Sequence, residues 1–408
     1  MARREAAAAG PGSRALIVDL IRSSGPISRV ELVKATGLTQ PTISNIVRRL
    51  IDDGVVRETG DTVATRGKPR TMLVINSRAA YGVGIHVGAD TLTCVVTDTR
   101  GGTVGRQLVA GPADGKPASV VDRLATLYRD VTDGLGLPPQ SVAGMAVVGP
   151  GPVDVARGRF LALPGLPPRP DLDLAHALSG RLGVPVLVDT DAAAAAIGEF
   201  WGRQISRDRT FGCLYMNSGI GSGVVLDGAL HRGASSNAGK IGHLRVVRAG
   251  EPCRCGGHGC LEQVAAPHRL VARARATRGL ADRLRIHPAD PDARAFDVLA
   301  RAAIYGDAEA RAFIDESATL LAEGAVTLAN LWDLDTLVLA GPGFAVAGSI
   351  YVTEIRRRLA AQAFARDVHE VHVDLSSNPR DSAAIGGAAL VLQGSVAPGH
   401  GPQVAALI

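Results

Sequence analysis

Three cysteines fall within eight positions, Cys253-Arg-Cys255-Gly-Gly-His-Gly-Cys260, on one glycine-rich stretch. Thiolates at this spacing suit a tetrahedral Zn2+ at about 2.3 Å from each sulfur, and the glycines let the chain wrap around the ion. The fourth ligand has to come from elsewhere: His243 lies ten residues upstream of Cys253, and His258 lies inside the loop. Three Cys and one His make a closed shell, which is structural rather than catalytic zinc chemistry. The other two cysteines, Cys94 and Cys213, sit in strand-like apolar runs and read as core residues.

Two further stretches carry polar chemistry. Val186-Leu187-Val188-Asp189-Thr190-Asp191 is an apolar strand that ends in acids and runs into an alanine-rich helix. A carboxylate at such a strand end could act as base toward a hydroxyl, and it could equally cap the helix. Asn217-Ser218-Gly219-Ile220-Gly221-Ser222-Gly223 joins two strands. Its backbone N–H groups could hold an anion, although a plain hairpin turn uses the same composition.

A third set lies near the N-terminus. Leu16, Ile17, Leu20 and Ile21 recur at helical spacing up to Gly25-Pro26. Ser28 and Glu31 form a capping-box pattern for a short second helix that ends at Gly37. Thr39 can cap a third helix to about Asp53, with Pro41 in its first turn. Ile43, Ile46, Val47, Leu50 and Ile51 form its apolar stripe, and Gln40, Thr42, Ser44, Asn45, Arg48 and Arg49 its polar face. Strands at Val55–Glu58 and Leu73–Ile75 flank a basic loop with Arg66, Lys68 and Arg70. Three helices and a β-hairpin predict a winged helix-turn-helix. Its third helix would enter a DNA major groove, and its basic wing would meet phosphates or the minor groove.

Charge agrees with that reading. Residues 1–80 hold 13 Lys/Arg against 7 Asp/Glu, a balance of +6, so the rest of the +5 chain is about −1. The 408 residues allow two or three domains. Hydrophobic residues make up 46% and aromatics only 3%, so Ala, Val, Leu and Ile must fill the core. Residues 1–13 read as disordered. Clustered cysteines, no apolar leader and no apolar run near 18 residues predict a cytoplasmic bacterial protein without a membrane partner.

Positioning these groups requires an α/β body from about Tyr81. Strands are expected at Tyr81–Val87, Leu92–Asp98, Val104–Val109 and Val142–Val148, with a helix at about 117–134. The pattern restarts with strands Gly212–Met216, Val224–Leu226 and Thr336–Leu339. Helices follow near 265–278, 309–330, 349–363 and 382–393, and the tail from Gly394 reads as unstructured. Two tandem strand–hairpin–helix units predict a duplicated fold with a cleft between lobes.

Gly242-His243 followed by Cys253-x-Cys255-Gly-Gly-x-Gly-Cys260-Leu261-Glu262 resembles the signature of the ROK family (repressor, open reading frame, kinase), and the resemblance covers about residues 14–393. It implies an actin/hexokinase-like duplicated body, with His243, Cys253, Cys255 and Cys260 as the zinc ligands. It places Asp191 at the catalytic aspartate of the kinases, Glu262 and His243 at the sugar, and Gly219 to Gly223 at the second phosphate loop. The chain departs from the kinases at His86-Val87-Gly88-Ala89-Asp90, where they carry Asp-x-Gly-Gly-Thr, and at Ala340-Gly341-Pro342-Gly343. Losing that acid and hydroxyl removes a metal–ATP contact, so no enzyme activity is expected. Thr190, Lys240 and Gly165 stand where the family has Asn, Glu and Asn. Lys240 reverses a charge in the pocket formed with Thr190, Asp191, His243 and Glu262, which points to a phosphorylated or acidic sugar.

The expected division is a DNA-binding module at 14–76, an N-terminal lobe at 80–190 completed by helix 382–393, and a C-terminal lobe at 191–381. The expected function is a homodimeric or homotetrameric regulator, a repressor of carbohydrate genes. It would bind an operator under control of a sugar or sugar-phosphate effector. The alternatives are an ATP-dependent sugar kinase and a ligand-free DNA-binding scaffold.

Overall fold

The computed structural model describes residues 11–63, 70–111, 116–163 and 172–396. The N-terminal module contains α1 (Pro11–Ser23), β1 (Ile27–Ser28), α2 (Arg29–Thr36), α3 (Gln40–Asp52), β2 (Val56–Val63) and β3 (Arg70–Ile75), with strand order β1-β3-β2. α1 begins at Pro11, inside the stretch expected to be disordered; residues 1–10 lie outside the described residues. Both halves of the capping box form: the Ser28 hydroxyl accepts from Glu31 N–H, and the Glu31 carboxylate accepts from Ser28 N–H at 2.8 Å. Such a cap stabilises by about 1 kcal/mol. Gly37 ends α2 in the left-handed region at φ 68°, where a Cβ would be strained. α3 buries Ile43, Ile46, Val47 and Leu50, while Ile51 is only half-buried. The wing strands are longer than the sequence predicted. Arg66 and Lys68 at the tip lie outside the described residues, and Arg70 opens β3.

The body is two five-stranded sheets of one topology. The first runs β4 (Tyr81–Val87), β5 (Thr91–Asp98), β6 (Thr103–Ala110), α4 (Pro117–Gly134) and β7 (Val142–Gly149). The short hairpin β8 (Val153–Asp154) and β9 (Arg159–Phe160) follows, then α5 (Leu174–Leu182), β10 (Val186–Thr190) and α6 (Asp191–Gly202). The second has β11 (Phe211–Met216), β12 (Ile220–Leu226), β13 (Ala229–Leu230), α7 (Leu261–Ala265), α8 (Pro267–Ala276), α9 (Leu280–Leu284), α10 (Asp292–Ile304) and α11 (Ala308–Trp332). β14 (Thr336–Ala340), α12 (Gly348–Gln362), β15 (His372–Leu375) and α13 (Ser382–Val396) complete it. Strand orders are β10-β7-β4-β5-β6 and β13-β12-β11-β14-β15. In each sheet an antiparallel three-strand meander is extended by two parallel strands from its first strand, so the duplication is visible in the hydrogen-bond register. The parallel strands are buried nearly throughout, as helices on both faces require.

Several boundaries differ from expectation. The helix expected at about 265–278 is α8, which starts at Pro267; a separate short helix, α7, ends before it at Ala265, because the proline ring disfavours helical geometry at Ala266. β12 starts at Ile220, so most of the glycine-rich stretch is strand and only 217–219 turn. α13 extends through Val396, past the predicted tail start. α5, α10 and β15 had no sequence expectation.

α13 lies directly on β4, where a Cβ on Gly84 would run into the Ala384 carbonyl. It also lies on α6, where a Cβ on Gly198 would stand 2.8 Å from Gly386 Cα. The apolar core of the module (Ile17, Ile21, Val47) is continuous with that of α6 and α13.

Candidate functional site

The sulfur cluster forms around the turn at 253–260. His243, Cys253, Cys255 and Cys260 bring one ligand atom each within 4.8 Å of one another. Cys255 Sγ and Cys260 Sγ are 3.6 Å apart, and Cys253 Sγ is 3.5 Å from His243 Nδ1. Ligands at about 2.3 Å around a tetrahedral ion stand at roughly such edges, so the donor set fits a metal of zinc's size and softness. His258 is exposed and outside this cluster. Gly257 N–H donates to Cys255 Sγ, and the Gln263 amide approaches Cys253 Sγ, supports that orient the sulfurs. The Gly257 amide draws the Cys255 thiol below its ordinary value, while burial pushes Cys260 up to about 12. A bound cation inverts the latter by stabilising the thiolate.

Directly after the last cysteine, α7 opens with Leu261 and Glu262, the latter 5% exposed. Its Oε2 accepts from Ile220 N–H at 3.2 Å, and a Cβ on Gly219 would stand 2.5 Å from the same oxygen. Ser222 N–H is held by the Gly239 carbonyl at 2.8 Å. Two amides of the expected phosphate loop are therefore committed, one to a carboxylate lying where an anion would sit.

A second polar cluster is built from strand ends. β10 delivers Asp189 and Thr190, and α6 starts with the partly buried Asp191. Thr190 is spent as the N-cap of α6, accepting from Ala193 N–H at 3.3 Å. Asp191 Oδ1 accepts from Ala192 N–H at 2.8 Å. Asp189, 1% exposed, is paired with Arg232 at 2.8 Å. Lys240 is exposed as a residue, yet its Nζ would lie 2.7 Å from a Cβ on Gly151. Burial pushes the Asp189 and Asp191 carboxyls up. Arg232 opposes this at Asp189, and His86 then Lys240 at Asp191. Burial also lowers the Lys240 ammonium against the pull of Asp191 and Asp189. His86, at the end of β4, is 5% exposed and its Nε2 has no hydrogen-bond partner. Burial holds its imidazole below the ordinary histidine value, with Asp191 and Asp381 opposing.

Sequence reasoning missed Arg232, the closeness of His86 to Asp191, and Asn237, whose amide clamps both backbone groups of Val153 at 3.0 and 2.8 Å. Arg232 lies 43 positions from Asp189, and no local pattern links them. Gly165, which stands where the family has Asn, falls outside the described residues.

On the DNA-type module, Gln40, Asn45, Arg48 and Arg49 are exposed along α3. Arg48 donates to Asn45 Oδ1 at 2.6 Å, which orients both side chains. Thr42 and Ser44 are half-buried, and the Thr42 hydroxyl is engaged with the capping Thr39 at 2.9 Å. Arg70 is half-buried. No helix among the described residues is long and apolar enough to cross a membrane.

Comparison with known proteins follows the same division. The ROK family model matches residues 82–394, and a winged helix-turn-helix DNA-binding model matches residues 15–57. A xylose repressor of Caldicellulosiruptor bescii is 25% identical over 386 residues, 93% of this chain and 95% of that protein. The crystal structure of a ROK family transcriptional regulator, homologous to the E. coli Mlc protein, aligns with TM-score 0.73 at 24% identity. That alignment covers 95% of this chain and 97% of the other. A ROK family glucokinase from Streptomyces griseus, solved with glucose and AMPPNP, aligns with TM-score 0.66 at 26% identity, covering 77% of this chain and 100% of its own.

Proposed function

The chain belongs to the ROK family, and because a winged helix-turn-helix precedes that body, we propose that it is a sugar-responsive DNA-binding transcriptional repressor. The observation that carries this is the union of the two matched parts in one chain, which aligns over nearly the full length of a xylose repressor and of a ROK family transcriptional regulator. The division we assign is 14–76 for the module, 80–190 with helix 382–393 for the first lobe, and 191–381 for the second.

Gln40, Thr42, Ser44, Asn45, Arg48 and Arg49 face the major groove, and Arg66, Lys68 and Arg70 the backbone or minor groove. Thr190, Asp191, Lys240, His243 and Glu262 line the effector pocket. The cleft's named carboxylates, Asp189, Asp191 and Glu262, are matched by Arg232, Lys240 and Arg254. That balance favours a neutral polyhydroxyl ligand over a sugar phosphate, because a buried added charge lacks a counterion. His243, Cys253, Cys255 and Cys260 hold a structural zinc, which braces the turn from which Glu262 projects. His86 in place of an acid, and Glu262 on the Ile220 amide, support the absence of phosphoryl transfer. The protein works in the bacterial cytoplasm, as a homodimer or homotetramer on a palindromic operator.

Titrating the protein onto its own upstream DNA at two salt concentrations, with and without aldoses and their phosphates, tests this. Binding should weaken steeply with salt and be released by one neutral sugar. Arg48→Ala should cost about 1–3 kcal/mol of operator affinity. Release by a sugar phosphate alone would revise the ligand class. Binding that no sugar alters would leave a ligand-free scaffold. Sugar-dependent ADP release, lost in Asp191→Asn, would return the kinase.

A further inference from the structure

α6 connects two places that the sequence separates by function. Its first residue, Asp191, lies beside His86 and Lys240, and its N-cap is Thr190. Its far end, about 18 Å away at 1.5 Å per residue, meets the DNA-binding module. There Arg22 of α1, 3% exposed, donates to the carbonyls of Phe200 and Trp201 at 3.2 Å each, and to Ile205 O at 2.8 Å. The guanidinium also lies 5.0 Å over the Phe200 ring and 4.9 Å over the Trp201 ring. Both carbonyls already accept a backbone N–H, Phe200 O from Ile205 at 3.2 Å and Trp201 O from Gln204 at 3.1 Å, so Arg22 adds a second, charged donor at the negative end of the helix dipole. Asp19, also buried, accepts from Nε and Nη2 of Arg22 at 3.0 and 2.8 Å, which fixes the fork in this orientation.

From this geometry we propose that Arg22 is the positioning residue that couples the DNA module to α6, so that movement of the helix bearing Asp191 is delivered to α1. α1 passes it on to the recognition helix: Arg14 of α1 pairs with Asp53 at the end of α3 at 2.9 Å, and the two helices share one apolar core. Buried along nearly its whole length, α6 moves as a unit instead of bending at its ends. The idea rests on the regulator reading only for its biological use; the coupling is a property of the chain itself.

The test therefore uses neither operator nor sugar. Amide hydrogen exchange of α1 is compared between the full-length chain and Asp191→Asn, then between Arg22→Lys and Arg22→Lys/Asp191→Asn. Lysine keeps the charge and loses the fork that reaches several carbonyls. Exchange in α1 should change about threefold or more with Asp191→Asn in the parent, and by less than about 1.5-fold in the Arg22→Lys background. A purely structural Arg22 would alter the baseline and leave the response to Asp191→Asn intact, which overturns the proposal. No response in the parent overturns it too. If Arg22→Lys disorders the module, Asp19→Asn/Arg22→Gln, which leaves no buried charge unpaired, replaces it as the background with the same two outcomes.

Discussion

His86 shows how one side chain sets a measurable property of the whole chain. Its imidazole is buried with Nε2 unpartnered, and burial lowers its proton affinity. The unfolded chain takes up a proton there below about pH 6.5, and the folded chain does so only at lower pH. Stability therefore falls as pH drops below about 6.5, by up to about 1.4 kcal/mol per unit for one proton. Urea unfolding of His86→Asn between about pH 7 and 5 should show a correspondingly shallower loss than the parent; equal slopes would contradict the assignment. The sulfur cluster makes the second residue-scale prediction. Metal analysis should find about one zinc per chain. Cys253→Ser or chelation should destabilise by about 3 kcal/mol, a fall of roughly 6–12 °C in Tm. A zinc-free chain with unchanged Tm would rule out the structural role.

Among the elements, the tight approach of α13 to β4 is the feature that admits least change. A Cβ on Gly84 has the Ala384 carbonyl in its place, and neither backbone can yield without moving a whole element. Gly84→Ala should cost about 1–3 kcal/mol or more in thermal unfolding. Gly134→Ala, in the last turn of α4 with nothing within 4 Å, should be neutral or stabilising by up to about 1 kcal/mol. Similar losses for both would mean that the two elements do not meet this closely. The repeated five-strand topology explains why α6 and α13 matter together. Each follows or precedes a lobe's sheet, and the two pack on each other through Gly198 and Gly386.

At the scale of the molecule, the DNA module is not a bead on a linker. Its core runs on into α6 and α13, and its α1 presents a buried ion pair to the body. Removing the body would expose Asp19 and Arg22 together with apolar surface. The isolated 14–76 fragment should thus unfold well below the same residues in the full chain, by roughly 10 °C or more, since about 1 kcal/mol shifts Tm by 4–8 °C at that size. Differential scanning calorimetry of both decides it, and equal transition temperatures would show an independent module.

The sequence by itself determined what depends on neighbours along the chain. Ser28 and Glu31 cap α2, the apolar stripe of α3 separates its buried and polar faces, and Cys253, Cys255 and Cys260 share one turn with His243 nearby. It also carried the strand–hairpin–helix repeat, because local periodicity sets element type. Tertiary structure alone decided the rest. Asp19 and Arg22, spaced like an ordinary surface pair on a helix, are buried only because the end of α6 meets them. Asp189 finds Arg232 across 43 residues, Glu262 reaches the Ile220 amide across 42, and Gly219–Gly223 becomes mostly strand because β11 pairs with it. Burial and long-range pairing arise only when distant segments share one core, and that information is not held in any single stretch of the chain.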